Sequence, residues 1–168
     1  MQEERKVTLN DIYIVHVSIA DMRFGKAPEK LKTVLGSCVG ICVYCKRYKI
    51  GALGHAMLPS KHNNLINDYK FVDTSIEKIL EGFDKLKILS ADLEAKIFGG
   101  AKIYFSDTAG ILPDIGKMNV EMARKVLQKY KIRIIAEDVF GQLGRTIIFD
   151  LETGLVHSKL FSGSEKIF

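Results

Sequence analysis

The sequence predicts an α+β fold, and three observations lead to that prediction. Short segments rich in β-branched and aromatic residues recur along most of the chain. Only two longer segments place their apolar residues at helical spacing. The two kinds of segment do not alternate as they do in a repeating βαβ pattern. At 168 residues, the chain is predicted to be a single domain, residues 1–168, with its core between about residues 10 and 160.

The strands are predicted from β-branched runs that lie between turn-forming residues. The first strand is expected over residues 9–19, and a polar loop is expected over residues 21–32. A later strand over residues 95–105 is interrupted by Gly99-Gly100, a pair that is typical of a bulge or a close backbone approach. Three short strands are predicted to close the chain, over residues 132–139, 145–150 and 155–160.

Two helices are predicted, each with one apolar face. The first is expected over residues 68–87, where Thr74-Ser-Ile-Glu77 matches a capping box. The second is expected from residue 120 to about residue 130, with Asn119 as its N-cap. A loop over residues 106–118 is predicted to precede it. Both apolar stripes are interpreted as core-facing.

Composition narrows the classes of function. The formal net charge is +5, and the basic residues are scattered rather than arranged in a stripe with aromatic residues. This pattern is interpreted mainly as a contribution to solubility; it is compatible with an acidic protein partner and argues against nucleic-acid binding. No apolar run is long enough to cross a bilayer, and the charged first residues lack a signal-peptide core, so a cytoplasmic protein without membrane insertion is expected. Three cysteines within eight residues indicate chemistry, metal binding or burial rather than disulfides.

Two neighbouring segments are predicted to form a hairpin that carries the candidate active site. Residues 33–45 begin as a turn and become a strand, and residues 50–58 return as a second strand. Centring the hairpin between residues 46 and 47 places Cys38 directly opposite His55. Directly opposed residues have Cβ atoms roughly 4.5–5.5 Å apart, which brings a thiol and an imidazole within hydrogen-bond reach. The prediction depends on the register, because a slip of one residue turns His55 to the other face.

This pairing predicts nucleophilic catalysis by a cysteine. An imidazole at His55 would accept the proton of the Cys38 thiol and return it to a leaving group. Backbone amides near Gly36 and Ser37 would stabilise the oxyanion of a tetrahedral intermediate. Thr33 would orient the imidazole as the third member of a triad does.

The same cysteines allow a competing interpretation. Cys38, Cys42 and Cys45 have a spacing that resembles the cluster-binding signature of radical S-adenosylmethionine enzymes. The chain is short for the barrel of those enzymes, and on a strand Cys45 would point away from Cys38 and Cys42. A zinc site lacks a second ligand pair at suitable spacing. Cys42 and Cys45 are therefore interpreted as structural, and neither a metal nor a cofactor is expected.

The motifs of this chain resemble those of the CheD family, the chemoreceptor glutamine deamidases of bacterial chemotaxis. They run in family order over nearly the whole chain, and the Gly-Ser-Cys and His-Ala-Met-Leu-Pro motifs are the most specific. The matching pieces are Thr33-Val-Leu-Gly-Ser-Cys-Val-Gly-Ile-Cys-Val-Tyr44, Gly51-x-x-Gly-His-Ala-Met-Leu-Pro59, Ala95-Lys-Ile-Phe-Gly-Gly-Ala101, Ile115-Gly-x-x-Asn119, and Ala136-Glu-Asp-Val-x-Gly141 followed by Gly144-Arg145.

The resemblance implies roles and partners. Cys38 would be the nucleophile, His55 the general base and acid, and Thr33 the third residue of the triad. The fold would consist of mixed, sandwich-like β-sheets flanked by about two to three helices, related to bacterial toxin deamidases. The substrate would be a glutamine on the cytoplasmic helices of a chemoreceptor, and a CheC-type phosphatase would be a partner. A non-catalytic chemotaxis adaptor that binds the phosphatase or the receptor is the main alternative.

Overall fold

The computed structural model describes residues 13–61, 67–103 and 113–168. Two α-helices lie in this part of the chain, α1 (Val72–Lys85) and α2 (Ile115–Lys129), together with short 3₁₀-helices at Asp68–Lys70 and Ser90–Asp92. The strands are β1 (Ile14–His16), β2 (Asp21–Lys26), β3 (Lys30–Leu35), β4 (Val39–Cys45), β5 (Ile50–Ala56), β6 (Glu94–Gly99), β7 (Arg133–Val139), β8 (Arg145–Asp150), β9 (Val156–Leu160) and β10 (Glu165–Ile167).

The strands of the described residues form two five-stranded sheets. Sheet A has the order β1-β3-β8-β9-β10, and sheet B has the order β2-β5-β4-β6-β7. Both sheets are mixed, because β1 runs parallel to β3 and β6 runs parallel to β7, whereas the other pairs are antiparallel. The predicted α+β fold with mixed sheets is therefore confirmed.

Sheet B is the middle layer of the molecule, as the alternation along β4 demonstrates. The side chains of Cys42 and Tyr44 pack with residues of sheet A, including Leu31 and Phe149. The intervening residues pack instead against the apolar faces of α1 and α2. Every residue of β4 is buried because both faces of this strand are covered.

The predicted loop over residues 21–32 is wrong, because β2 and the first part of β3 occupy it. The burial of β3 alternates strictly: Leu31, Thr33 and Leu35 are buried between the sheets, whereas the alternate residues, Lys30, Lys32 and Val34, face outward. Polar residues on the solvent side of a strand resemble a loop when composition alone is considered. The predicted first strand is shorter than expected, since β1 covers Ile14–His16 and residues 9–12 lie outside the described part.

Both predicted helix starts are wrong. Helix α1 begins at Val72, so Thr74 lies in its first turn and donates its hydroxyl to the carbonyl of Asp68 instead of forming a capping box. Helix α2 begins at Ile115, and its N-cap is Asp114, whose carboxylate accepts from the amide of Lys117 at 3.0 Å. Asn119 is therefore an interior residue of α2, and it is buried.

Other boundaries differ from the predictions. Strand β6 ends at Gly99, short of residue 105, and β10 was not predicted. Of the predicted loop over residues 106–118, residues 106–112 lie outside the described part, and α2 occupies the end. No helix in the described ranges is long and apolar enough to cross a membrane.

Candidate active site

Residues 36–38 form the turn that carries the chain from sheet A to sheet B, between β3 and β4. Cys38, the last residue of this turn, is partly exposed. It lines an open cavity of about 580 Å³ that also contains Thr33 and His55. Gly36 lines the same cavity, where a Cβ atom would lie 2.8 Å from Ile103 Cδ1. The fold therefore brings the predicted site residues to one opening between the sheets.

The three carbonyl groups of this turn all accept hydrogen bonds from the protein. The donors are Ala101 N to Gly36 O at 2.9 Å, Asn119 Nδ2 to Ser37 O at 3.0 Å, and Gly100 N to Cys38 O at 2.8 Å. In a trans peptide, the C=O of one residue and the N–H of the next point in opposite directions. The amides of Ser37 and Cys38 therefore point away from the groups that hold the carbonyls of Gly36 and Ser37.

His55 lies on β5, directly opposite Gly40 of β4, and its side chain reaches across to sheet A. There its Nδ1 lies 2.7 Å from Thr33 Oγ1. The same hydroxyl donates its single hydrogen to the carbonyl of Val17 at 2.8 Å. Thr33 can therefore only accept from His55, which assigns the hydrogen of the neutral imidazole to Nδ1. The second ring nitrogen, Nε2, then carries the lone pair.

The Nε2 atom of His55 is buried and has no hydrogen-bond partner among the described residues. Burial lowers the pKa of His55, and a hydrogen bond with the backbone of Val17 opposes that shift. An unpaired buried nitrogen in a native site calls for an explanation, and one explanation is a proton-accepting role. At neutral pH the imidazole is thus uncharged and can take up a proton at Nε2.

The Cys38 thiol is also neutral at pH 7. Burial raises its pKa, and a hydrogen bond from its own backbone amide opposes the shift. Since the thiolate is the nucleophile, the thiol has to lose its proton to a nearby base before it reacts. A neutral thiol and a neutral imidazole that line the same cavity fit general-base activation better than a preformed ion pair.

The predicted hairpin register is wrong by two residues. Residue Gly40, not Cys38, pairs with His55, because Cys45 pairs with Ile50 and four residues form the turn. A shift of two residues preserves the face, since side chains alternate with a period of two. Cys38 and His55 consequently share the side that faces sheet A, but they are not directly opposed.

The other two cysteines lie apart from this pair. Cys42 is buried between the sheets, and Cys45 is buried on the opposite face of β4 against the helices. Their thiols cannot converge with Cys38 on one cluster, and no group that could hold a metal ion exists among the described residues. His16 is exposed on β1 and lines the same cavity as Cys38 and His55, whereas His157 is exposed on β9, away from that cavity.

Asn119 is a site residue that the sequence analysis misassigned. Its side-chain amide bonds the carbonyls of both Ser37 and Met57, so it contacts both segments of the site. Its sequence signal is a polar residue on the buried stripe of α2, between Gly116 and Ala123. An N-cap also takes Asn, so the pattern alone favoured the simpler assignment.

Arg145 holds the segment that packs next to Gly99 and Gly100, a role that was not predicted. Its buried guanidinium pairs with Asp138 at 3.0 Å and donates to the carbonyls of Asp138 and Phe140. The amide of Phe140 donates to Gly99 O, and Gly99 adjoins the segment that holds the carbonyl of Cys38. A Cβ at Gly99 would lie only 2.3 Å from Cys38 O, so this glycine permits the close approach.

Comparison with known proteins places these features in a family. The family model described as "CheD chemotactic sensory transduction" matches residues 57–160, a range that begins after His55. A probable chemoreceptor glutamine deamidase CheD of Clostridium novyi is 44% identical over 84% of this chain and 90% of its own length. The corresponding protein of Syntrophomonas wolfei is 40% identical over 92% of this chain and 98% of its own length.

Similarity to solved structures is weaker. A hypothetical protein, YfiH, of Bacillus licheniformis superposes with a TM-score of 0.47 at 14% identity, over 76% of this chain and 58% of its own. The sequence relatives, by contrast, cover most of both chains at 40–44% identity. On this evidence, the chain belongs to the CheD family.

Proposed function

We propose that this protein is a chemoreceptor glutamine deamidase that uses Cys38 as its nucleophile and His55 as its general base and acid. The names of the relatives supply the substrate class. The observation that carries the proposal is the unpaired Nε2 of His55 in the cavity that exposes the Cys38 thiol. Thr33 supports the pair by fixing the tautomer that leaves Nε2 free to accept a proton.

The reaction has two halves. His55 Nε2 removes the proton of Cys38, and the sulfur attacks the side-chain amide carbon of the glutamine. The imidazolium then protonates the departing nitrogen, so that ammonia leaves and a thioester remains. His55 next removes a proton from water, the hydroxide attacks the thioester, and the thiolate departs and regains the proton from Nε2. Amide and water thus become glutamate and ammonia.

The oxyanion of each tetrahedral intermediate would lie against the backbone amides of Ser37 and Cys38. The carbonyls that precede these amides are held by Ala101 and Asn119, which fixes the direction of each N–H group. Gly36 contributes through its own carbonyl and through its lack of a side chain beside Ile103.

The shape of the site suits a glutamine that another protein presents. The thiol lies in an open cavity whose wall includes the exposed side chains of Ile19 and Val34. The substrate would be the helical cytoplasmic domain of a chemoreceptor, which places the enzyme in the cytoplasm. A CheC-type phosphatase is proposed as a second protein partner, in accordance with the family assignment.

A non-catalytic adaptor is the alternative function, and one experiment separates the two. The wild-type protein is incubated with a purified chemoreceptor cytoplasmic fragment in ¹⁸O-labelled water, and the receptor peptides are analysed by mass spectrometry. The proposal predicts conversion of glutamine to glutamate with one ¹⁸O atom incorporated, and no conversion by Cys38→Ala. Receptor binding without conversion by the wild-type protein would instead establish an adaptor.

A further inference from the structure

The side chain of Asn119 connects the two chain segments that form the site. It lies within α2, is fully buried, and donates from Nδ2 to Ser37 O and to Met57 O, each at 3.0 Å. Ser37 immediately precedes Cys38, and Met57 directly follows the end of β5, which carries His55. Both acceptors are carbonyl oxygens, so only the NH₂ group of the amide can occupy this position.

The bond to Ser37 O fixes the peptide plane between Ser37 and Cys38. Its carbonyl points toward α2, and the N–H of Cys38 therefore points in the opposite direction. The bond to Met57 O ties the same amide to the strand that carries the imidazole. One side chain thus controls the direction of a candidate oxyanion donor and anchors it to the segment of the general base.

We propose that Asn119 is a positioning residue that holds the Ser37–Cys38 peptide so that the Cys38 amide stabilises the oxyanion. The inference rests on the proposed function, because it assigns a role within that reaction. Asn119 lies outside the Cys38, His55 and Thr33 group and acts on the reaction through the Ser37–Cys38 peptide plane.

A purely packing role would not require an amide. Val120 and Ala123, on the same stripe of α2, fill buried positions with apolar side chains. Asn119 leaves its Oδ1 buried and without a partner among the described residues. A buried oxygen without a hydrogen bond destabilises the fold. The presence of an amide at this position therefore indicates that the two hydrogen bonds donated by its NH₂ group are needed.

The test compares two reactions of the same thiol. Deamidation of a chemoreceptor fragment forms an oxyanion, whereas alkylation of Cys38 by iodoacetamide displaces iodide and forms none. In Asn119→Leu, kcat for deamidation should fall roughly 100-fold with KM nearly unchanged, because an oxyanion donor acts in the transition state. The alkylation rate should stay within about threefold of wild type, since thiol and imidazole remain in place.

Ser75→Ala is the matched control. Ser75 is another fully buried polar residue of a helix, and its Oγ has no partner among the described residues. It lies beside Gly54 on the helix side of sheet B, and the substitution should change neither reaction. Thermal unfolding of each variant and titration of its reactive thiol normalise the rates to folded protein.

Three outcomes would overturn the inference. Unchanged kcat in Asn119→Leu means that the amide is not needed, and parallel losses in both reactions mean general damage to the site. If Asn119→Leu does not fold, Asn119→Ser, whose hydroxyl can bond only one carbonyl, is held to the same two readouts. An inactive wild-type protein would refute the proposed function, and this inference with it, whereas an active wild type with an equally active Asn119→Leu refutes the inference alone.

Discussion

Cys38 and Cys42 are four residues apart and face the same side of sheet B, yet their surroundings differ. Cys38 lies in the turn before β4, at the wall of an open cavity, and shares that cavity with His55. Cys42 lies within β4, is 1% exposed, and is paired across the sheet with Lys96. Position in the fold, rather than sequence spacing, therefore distinguishes the two thiols.

Electrostatics reinforces this difference. Burial raises the pKa of Cys42 strongly, and the nearby Lys96 only partly opposes the shift. The ammonium of Lys96 is directed at two carbonyls, Gly154 O at 2.7 Å and Phe168 O at 2.9 Å. Cys42 is thus a buried, protonated thiol packed among apolar side chains, which is typical of a packing residue. Cys38 shares its cavity with an imidazole whose Nε2 has no partner among the described residues, so we propose that this thiol is the one that is activated.

Removal of the Cys38 thiol should have the largest effect on kcat, whereas removal of the Cys42 thiol should have almost none. Cys38→Ala should lower kcat by roughly 10⁴-fold or more, because the covalent step is lost. Cys42→Ala should leave kcat within about twofold of wild type, because its thiol is remote from solvent. Glutamate formation measured by mass spectrometry provides both rates. Equal losses in the two variants would end the distinction between the thiols.

Replacement of the base should have the next largest effect. His55→Gln removes the group that activates Cys38 and protonates ammonia, so kcat should fall roughly 10²- to 10⁴-fold. Steady-state kinetics and thermal unfolding together separate this loss from misfolding. A His55→Gln variant with wild-type kcat would show that the thiol is activated by another group.

Thr33→Val keeps the shape of the side chain but removes its hydroxyl. The variant loses the acceptor for Nδ1–H, so the imidazole is no longer held in the required tautomer. A neutral hydrogen bond contributes about 1 kcal/mol, so kcat should fall by about fivefold. Thr146→Val is a control on the outer part of sheet A, where the hydroxyl faces away from His55. Full activity in Thr33→Val would remove Thr33 from the mechanism.

The pH dependence of activity should show that the Cys38 thiol and the His55 imidazole are both uncharged in the active form. Burial lowers the pKa of His55, so activity should fall as the pH drops below about 6.5, the ordinary value for histidine. Burial raises the pKa of Cys38, so the alkaline limb should lie above the ordinary thiol value of about 8.5. A preformed thiolate–imidazolium pair would instead retain activity down to about pH 4. The pH profile of kcat/KM distinguishes the two.

The pH dependence of protein stability should also reflect the lowered pKa of His55. The unfolded chain binds the His55 proton more readily than the folded protein, because burial lowers the folded-state pKa. The free energy of unfolding should therefore fall as the pH drops from about 6.5 toward that lower pKa. The difference in Tm between pH 7.5 and pH 5.5 should be smaller in His55→Gln. An identical pH dependence in both proteins would contradict the buried, neutral imidazole.

The smallest effect concerns the packing thiol. Cys42→Ala removes one sulfur from a closed interface between the sheets, so the free energy of unfolding should fall by about 1–2 kcal/mol. Chemical denaturation of wild-type and variant proteins measures the change. A larger loss in Cys38→Ala than in Cys42→Ala would contradict the assignment of Cys42 as the structural thiol.

The sequence indicated which residues line the cavity better than it indicated their arrangement. Cys38, His55 and Thr33 were identified from residue type and from motifs, and the fold brings them to one cavity. The hairpin register was wrong because turn length cannot be read from composition, although the error of two residues preserved the face. Thr33 was expected to act from a turn, whereas it lies on β3 of the opposite sheet.

Long-range contacts account for the rest. Asn119 meets Ser37 across 82 positions of sequence, and no local pattern encodes such a contact. Strand β3 was only partly recognised because half of its residues, including its lysines, face solvent and give the segment the composition of a loop. The apolar stripes located both helices well. Their first residues were predicted wrongly because Asn and Thr, which favour N-caps, also occur inside helices, where their side chains make other hydrogen bonds.

Localisation of the covalent intermediate would identify directly which of the three cysteines is the nucleophile. All three cysteines share one tryptic peptide, residues 33–46, so the modified residue has to be identified by fragmentation. The wild-type protein is mixed with a glutamine-containing receptor peptide, quenched in acid, digested and analysed by mass spectrometry. The assignment of Cys38 as the nucleophile predicts a thioester on Cys38 and none in Cys38→Ala. A thioester on Cys42 or Cys45, or undiminished turnover by Cys38→Ala, would contradict it.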